Sequence, residues 1–150
     1  MKNFSKVAVV VCLALALVLC AVACQPDTPS KGEVIIVIAP LEGEATEYTV
    51  DLSDIAEGGG VVAILDYLKD NEGIRYEMQG TYLNKIGVLD PNPSNNEFIA
   101  IYTSVAKDKG AFPGIEPIEY NGNSLSSAAV GVVELSVEDG AIIYFTICTW

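Results

Sequence analysis

The chain reads as an α+β domain in which a mixed β-sheet packs on one short helix. Three observations predict it. A β-branched run, Val34-Ile35-Ile36-Val37-Ile38, is followed by a cleanly alternating stretch over 47–52. A single helical stripe comes next, after Gly58-Gly59-Gly60. Strong strand patterns then return at 97–105 and 141–148. Hairpin, helix and then further strands is the order of a β-grasp, in which the sheet curls over the helix. An immunoglobulin-like sandwich is the competing fold, and the stripe at 61–68 counts against it.

Each element has its own signal. The first run is β-branched and bounded by Gly32 and Pro40, and it reads as a buried strand. In the second, Tyr48, Val50 and Leu52 share one face while Glu47, Thr49 and Asp51 share the other. Leu41-Glu42-Gly43-Glu44 joins the two as a polar turn, so they form a hairpin. Val61, Ile64, Leu65 and Leu68 fall at i, i+3, i+4 and i+7, which is one face of a helix. Lys69 suits its last turn, and Asn71 or Gly73 can end it. Ile74, Tyr76 and Met78 alternate with Arg75, Glu77 and Gln79, an extended segment. Asn121-Gly122 marks a tight turn between 118–120 and 123–125, and Glu138-Asp139-Gly140 leads into the last strand.

The first residues have a different character. Lys2 and Lys6 precede an apolar run from Val7 to Val22, and Ala21-Val22-Ala23-Cys24 is followed by polar, Pro-containing residues. This is the layout of a secretion signal, and the string ending at Cys24 resembles the lipobox of bacterial lipoproteins, with Ala21 where leucine is usual. The resemblance implies lipidation of Cys24 and cleavage before it, with residues 1–23 as signal peptide, 24–32 as lipidated cysteine and tether, and 33–150 as the folded body. The uncharged run through Cys24 also approaches the length of a spanning helix, so an uncleaved anchor and simple secretion are the competing readings. The expected location is extracytoplasmic, on the cell membrane, held by acyl chains such as palmitate.

Charge and cysteine usage narrow the function. The chain carries a net charge of −12, and loss of Lys2 and Lys6 with the signal takes it to −14. Nucleic acid is therefore an unsuitable partner. Cys12 and Cys20 lie in the signal and Cys24 is the lipidation candidate, so Cys148 alone remains and reads as a packed strand residue. The sequence has no histidine, which removes the Ser/His and Cys/His nucleophile pairs and the commonest zinc ligands. Neither Ser-x-x-Lys nor Gly-x-Ser-x-Gly occurs. Asp90-Pro91-Asn92-Pro93-Ser94-Asn95-Asn96-Glu97 has spaced oxygen side chains, but Asn95 stands where an EF-hand needs glycine and Ile101 where it needs glutamate. It reads as a stiff loop. Glu42, Glu44 and Glu47 read as a solvated turn. The expectation is a non-catalytic protein without a metal site.

The segments Gly80-Thr81-Tyr82-Leu83-Asn84-Lys85-Ile86-Gly87, Glu97-Phe98-Ile99-Ala100-Ile101-Tyr102, Tyr120-Asn121-Gly122 and Val137 to Phe145 resemble the transcobalamin-like C-terminal domain, over roughly residues 44–148. That domain is a β-grasp, and its bacterial relatives occur on lipoproteins and surface proteins. The resemblance implies cobalamin or a related corrinoid as a possible cofactor. The chain has no room for the helical barrel of animal transcobalamins, Phe98 and Ile99 stand where a strand tryptophan is often found, and no histidine can coordinate cobalt. A glycan or an envelope protein is the alternative partner. A binding face recruits rigid aromatics with polar tips, and Tyr82, Phe112, Tyr120, Asn121 and Asn123 fall in predicted loops or strand ends, which makes them the ligand-binding candidates. The segment from Val105 to Pro117 is a candidate recognition loop.

If Cys24 carries the anchor, Cys24→Ser moves the protein from the membrane fraction to the soluble extracytoplasmic fraction. Fractionation and immunoblotting check this, and retention in the membrane would mean that the apolar leader itself is the anchor.

Overall fold

The computed structural model describes residues 28–149; the leader, Cys24 and the lipobox lie outside them. Among the described residues the strands are β1 (Glu33–Ala39), β2 (Thr46–Asp51), β3 (Tyr76–Gln79), β4 (Tyr82–Ile86), β5 (Glu97–Thr103), β6 (Ile118–Tyr120), β7 (Asn123–Ser127) and β8 (Ala141–Thr149), with one helix, α1 (Gly60–Asn71). Six strands form one mixed sheet in the order β2-β1-β8-β5-β7-β6, and β3 and β4 form a separate hairpin. The α+β class and the order hairpin, helix, strands are those expected from the sequence.

The centre of the sheet is a parallel pair, β1 with β8, in register from Val34 opposite Ala141 to Ala39 opposite Thr146. Parallel strands are normally covered on both faces, and both strands are apolar on both. Val34, Ile36 and Ile38 of β1 join Ala141, Ile143 and Phe145 of β8 in the larger core. Val37 and Ile142 point the other way, into a smaller core with Ala100, Tyr102 and Leu125. The continuous apolar run at 34–38 is thus explained by two covered faces.

Helix α1 covers the larger core with Val61, Ile64, Leu65 and Leu68, all fully buried. Burying a leucine or isoleucine side chain stabilises the fold by roughly 1.5–3 kcal/mol, so this stripe holds the helix on the sheet. The start of α1 is fixed from far away in sequence. Gly60 N–H donates to the buried Thr28 Oγ1 at 2.8 Å, which satisfies one of the free amides of a helix N-terminus. The packing of the body therefore reaches back to Thr28. Midway along the helix, Tyr76 of β3 donates its hydroxyl to Asp66 Oδ1 at 2.8 Å and ties the β3–β4 hairpin to it.

The β1–β2 hairpin pairs over the full length of β2, with Tyr48 and Val50 turned to the core as their alternation requires. The β6–β7 turn is Asn121-Gly122, with φ of 48° and 75°. Positive φ at both central residues is what a tight two-residue hairpin turn demands, and Asn-Gly supplies it at least cost. Strand β4, inside the family-like stretch 80–87, is an element that the residue pattern alone did not single out. Leu83 and Ile86 are its buried positions, and their i, i+3 spacing does not match the period of two, because a register shift interrupts the ladder between Glu77 and Met78.

The 90–97 string is a self-contained loop. Asn92 Oδ1 accepts from Ser94 N–H at 3.0 Å, while Glu97 accepts from Asn92 N–H at 2.8 Å and from the Asn95 side-chain amide at 3.2 Å. These bonds hold the Glu97 carboxyl below the usual carboxylate range, the Asn92 amide contributing most.

Partial burial, together with the hydrogen bond to Asp66 and the nearby Asp66 and Asp70 charges, pushes the Tyr76 hydroxyl up to about 12 from its ordinary value near 10. A raised folded-state value contributes stability that is complete below pH 10 and disappears as pH rises from 10 to about 12. Thermal melts should therefore show Tm falling over that window, with a shallower fall in Tyr76→Phe.

Candidate functional site

The geometry of β5 creates an open apolar groove. On one side β5 pairs with β8 along its whole length, from Glu97 opposite Thr149 to Thr103 opposite Ile143. On the other side β7 pairs only with Tyr102 and Thr103. One further bond, Ala128 N–H to Ile101 O at 2.8 Å, continues the ladder. After it the chain swings away from β5, and the wedge between them is an open groove of about 510 Å³.

Its floor is the Phe98–Ile101 stretch of β5, and its far wall is Ala128 to Gly131. Tyr82, from the start of β4, and Phe112, from the 105–117 segment, flank it. These two side chains are 76% and 43% exposed. Large aromatics left in water beside an apolar groove are the pattern of a surface built to be covered. Two smaller hollows share Ile115 with the groove: one of about 470 Å³ along Gly110 to Pro117, and one of about 330 Å³ reaching Leu41, Tyr102 and Cys148.

The 105–117 segment is anchored so that Phe112 can overhang the groove. Gly110 N–H donates to Ser127 O at 2.7 Å, and Lys109 Nζ donates to Ser124 O at 2.9 Å. A Cβ on Gly110 would lie 2.5 Å from the Phe112 ring, so glycine at this position permits the ring to fold back against the strand. A turn closed by Ile115 N–H to Phe112 O at 3.1 Å completes the loop.

The far wall hangs from one buried carboxylate. Asp108 is 6% exposed; its carboxylate accepts from Ser136 N–H at 2.6 Å and from Ser136 Oγ at 3.2 Å. Its backbone carbonyl accepts from Ala129 N–H at 2.8 Å. One residue therefore pins both ends of the segment 129–136. No sequence pattern marks Asp108, because its partners are 21 to 28 residues away and connected only by folding.

The five candidate binding residues divide between two places. Tyr82 and Phe112 line the groove together. Tyr120, Asn121 and Asn123 lie on the β6–β7 hairpin, where the two edges of the curled sheet meet. There Glu47 of β2 accepts from the Tyr120 hydroxyl at 2.8 Å and from the Asn121 side-chain amide at 3.2 Å, and Asn123 donates to Asn121 O at 3.1 Å. Tyr120 also packs edge-on against Tyr144, with ring centroids 5.4 Å apart. Burial and then the Glu47 carboxylate raise the Tyr120 hydroxyl above its ordinary range. Glu47, read from sequence as part of a solvated turn, is thus the acceptor that joins β2 to β6. The cysteine at 148 is half-buried in β8, packed on the smaller core. Among the described residues no group of three or more carboxylate or cysteine side chains could hold a metal ion.

No known family model and no curated protein matches the sequence. Solved structures do match its fold. One is a candidate metal binding protein from Ruminococcus gnavus ATCC 29149, with a TM-score of 0.52 and 8% identity over 80% of this chain and 99% of the other. Another is haptocorrin in complex with Cbi, with a TM-score of 0.50 and 14% identity over 79% of this chain. The match covers 25% of haptocorrin, so this chain corresponds to about a quarter of that protein. The likeness is one of fold. Haptocorrin belongs to the transcobalamin family, so the resemblance read from the sequence holds at the level of architecture.

Asp108→Ala leaves the Ser136 amide buried without an acceptor, a loss of about 1–3 kcal/mol. Denaturant melts should show that loss, with Asp108→Asn, which keeps one carbonyl oxygen, falling between the two.

Proposed function

We propose that this protein is a membrane-tethered, extracytoplasmic binding module that acts without catalysis, and that its recognition face is the groove beside β5. The observation that carries this reading is the groove itself. It is open, lined by apolar side chains and backbone, flanked by the exposed rings of Tyr82 and Phe112, and supported by a sheet paired on its other side. A volume of about 510 Å³ lies in the range of ligand sites, roughly 300–1,000 Å³. Its lining contains one hydroxyl, Ser127, besides that of Tyr82, and no acid, base or amine. Such a lining binds by excluding water and offers no proton shuttle for chemistry. The lipobox-like leader ending at Cys24 supports the tethered location.

A second reading is corrinoid capture, favoured by one observation: the shared architecture with haptocorrin, solved in complex with Cbi. A planar macrocycle could rest against Tyr82 and Phe112, with the remainder of its enclosure supplied by a partner protein.

One experiment addresses both. A photo-crosslinking amino acid placed at Tyr82, Phe112 or Tyr120 in intact cells should give adducts at the first two positions and little at the third. Equal labelling at Tyr120 would move the recognition face to the β6–β7 hairpin. Added cobalamin should suppress the adducts if the corrinoid reading holds, and unchanged labelling at high micromolar cobalamin would exclude it.

A further inference from the structure

The open side of β5 specifies the chemistry of what fills the groove. In an antiparallel ladder a residue directs its N–H and C=O to the same side, and the side alternates along the strand. Ser104 N–H donates to Ile142 O, on the β8 side, and Ala128 N–H donates to Ile101 O, on the β7 side. The odd-numbered residues of β5 therefore turn their peptide groups toward the groove. Among the described residues, the Ile99 N–H, the Ile99 C=O and the Ile101 N–H have no backbone partner there, since β7 stops pairing at Tyr102.

We propose that this edge accepts an extended polypeptide segment as an added strand, apolar at alternate positions and flanked by Lys or Arg. The proposal rests on the groove being the recognition face and names the class of its ligand. Four observations support it. The free donor, acceptor and donor follow one another along an extended backbone, which is the pattern that a strand complements. The stretch Glu97-Phe98-Ile99-Ala100-Ile101 contains no proline or lysine, the residues that commonly block edge-to-edge pairing. Its length, at about 3.3 Å per residue, suits a segment of four or five residues. The side chains of Tyr82, Phe112, Ile115 and Val130 offer apolar contacts to the side chains of the guest.

Charge selects among possible guests. Glu97 begins the strand, Glu116 borders both adjoining hollows, and the chain as a whole carries −12. Lys109, the nearest anchored cation of the loop, has its amine directed to Ser124 O. A second copy of this chain would bring the same negative charge to the contact, whereas a basic segment is attracted to it.

The test uses a labelled nonapeptide, Lys-Lys-Val-Thr-Val-Thr-Val-Lys-Lys, an analogue N-methylated at the central valine, and a version with glutamate in place of lysine. Fluorescence anisotropy follows binding to the purified protein, and amide hydrogen exchange follows Ile99 and Ile101. The expected result is saturable binding of the basic peptide with slowed exchange at both amides. The N-methyl analogue should bind roughly tenfold more weakly for each backbone bond it loses. The glutamate version should be weaker still, and added salt should narrow the gap between the two charged forms. No binding at millimolar peptide, equal binding of the N-methyl analogue, or protection outside β5 overturns the proposal. So does protection of Ile99 that rises with protein concentration alone, which would make a second copy the occupant. Failure of the peptide while crosslinks persist at Tyr82 and Phe112 removes only the added strand and leaves the groove as the recognition face.

Discussion

The structure depends on one constraint: β1 and β8, from opposite ends of the described chain, lie side by side and parallel in the middle of the sheet. Neither strand can hydrogen-bond to water there, and each presents apolar side chains above and below. Both faces must therefore be covered, and the rest of the fold is the covering. Helix α1 and the β3–β4 hairpin shield one face, while the smaller cluster around Val37, Tyr102 and Ile142 fills the other as the sheet curls. Curling brings the edge strands β2 and β6 within reach, where the Glu47 carboxylate bridges them through Tyr120 and Asn121.

The same constraint produces the groove. Because β8 occupies one side of β5 completely, the other side is left to β7, and β7 is short. The chain after Ser127 is drawn off toward Asp108 and Ser136, whose hydrogen bonds are buried and so costly to break. The sheet therefore opens at the point where β5 is still rigidly held from behind. A stiff floor with loops around it is a common way to build recognition; Phe112 is carried on the 105–117 segment and Tyr82 is the first residue of β4. The shared architecture with a protein of 8% identity and with a quarter of haptocorrin shows how far this scaffold spreads. Fold alone assigns no ligand; the proposed ligand class is argued from the groove's lining and from the open edge of β5.

The elements with short-range signals were readable from residues alone. The stripe Val61, Ile64, Leu65, Leu68 specified a helix and its buried face; the alternation at 48–52 specified which side of β2 faces inward; Asn121-Gly122 specified a tight hairpin. Strand β4 was not legible by period, because a register shift breaks the alternation that would have marked it. Of the proposed binding residues, Tyr82 and Phe112 were chosen for being aromatic in predicted loops or strand ends, which is also true of residues that merely anchor loops or core edges. The same criterion selected Tyr120, whose hydroxyl is engaged by Glu47.

What the sequence determined by itself were the leader's chemical character, the absence of histidine, the acidic charge, and the local periodicities that give helix and strands. These are properties of neighbouring residues, and neighbours suffice to set them. Which strands meet, that Thr28 caps α1 across 32 positions, that Asp108 grips Ser136, and that β5 keeps an open edge were decided only by the tertiary structure. Each depends on groups brought together by burial of the two apolar faces, and no spacing along the chain encodes such a meeting.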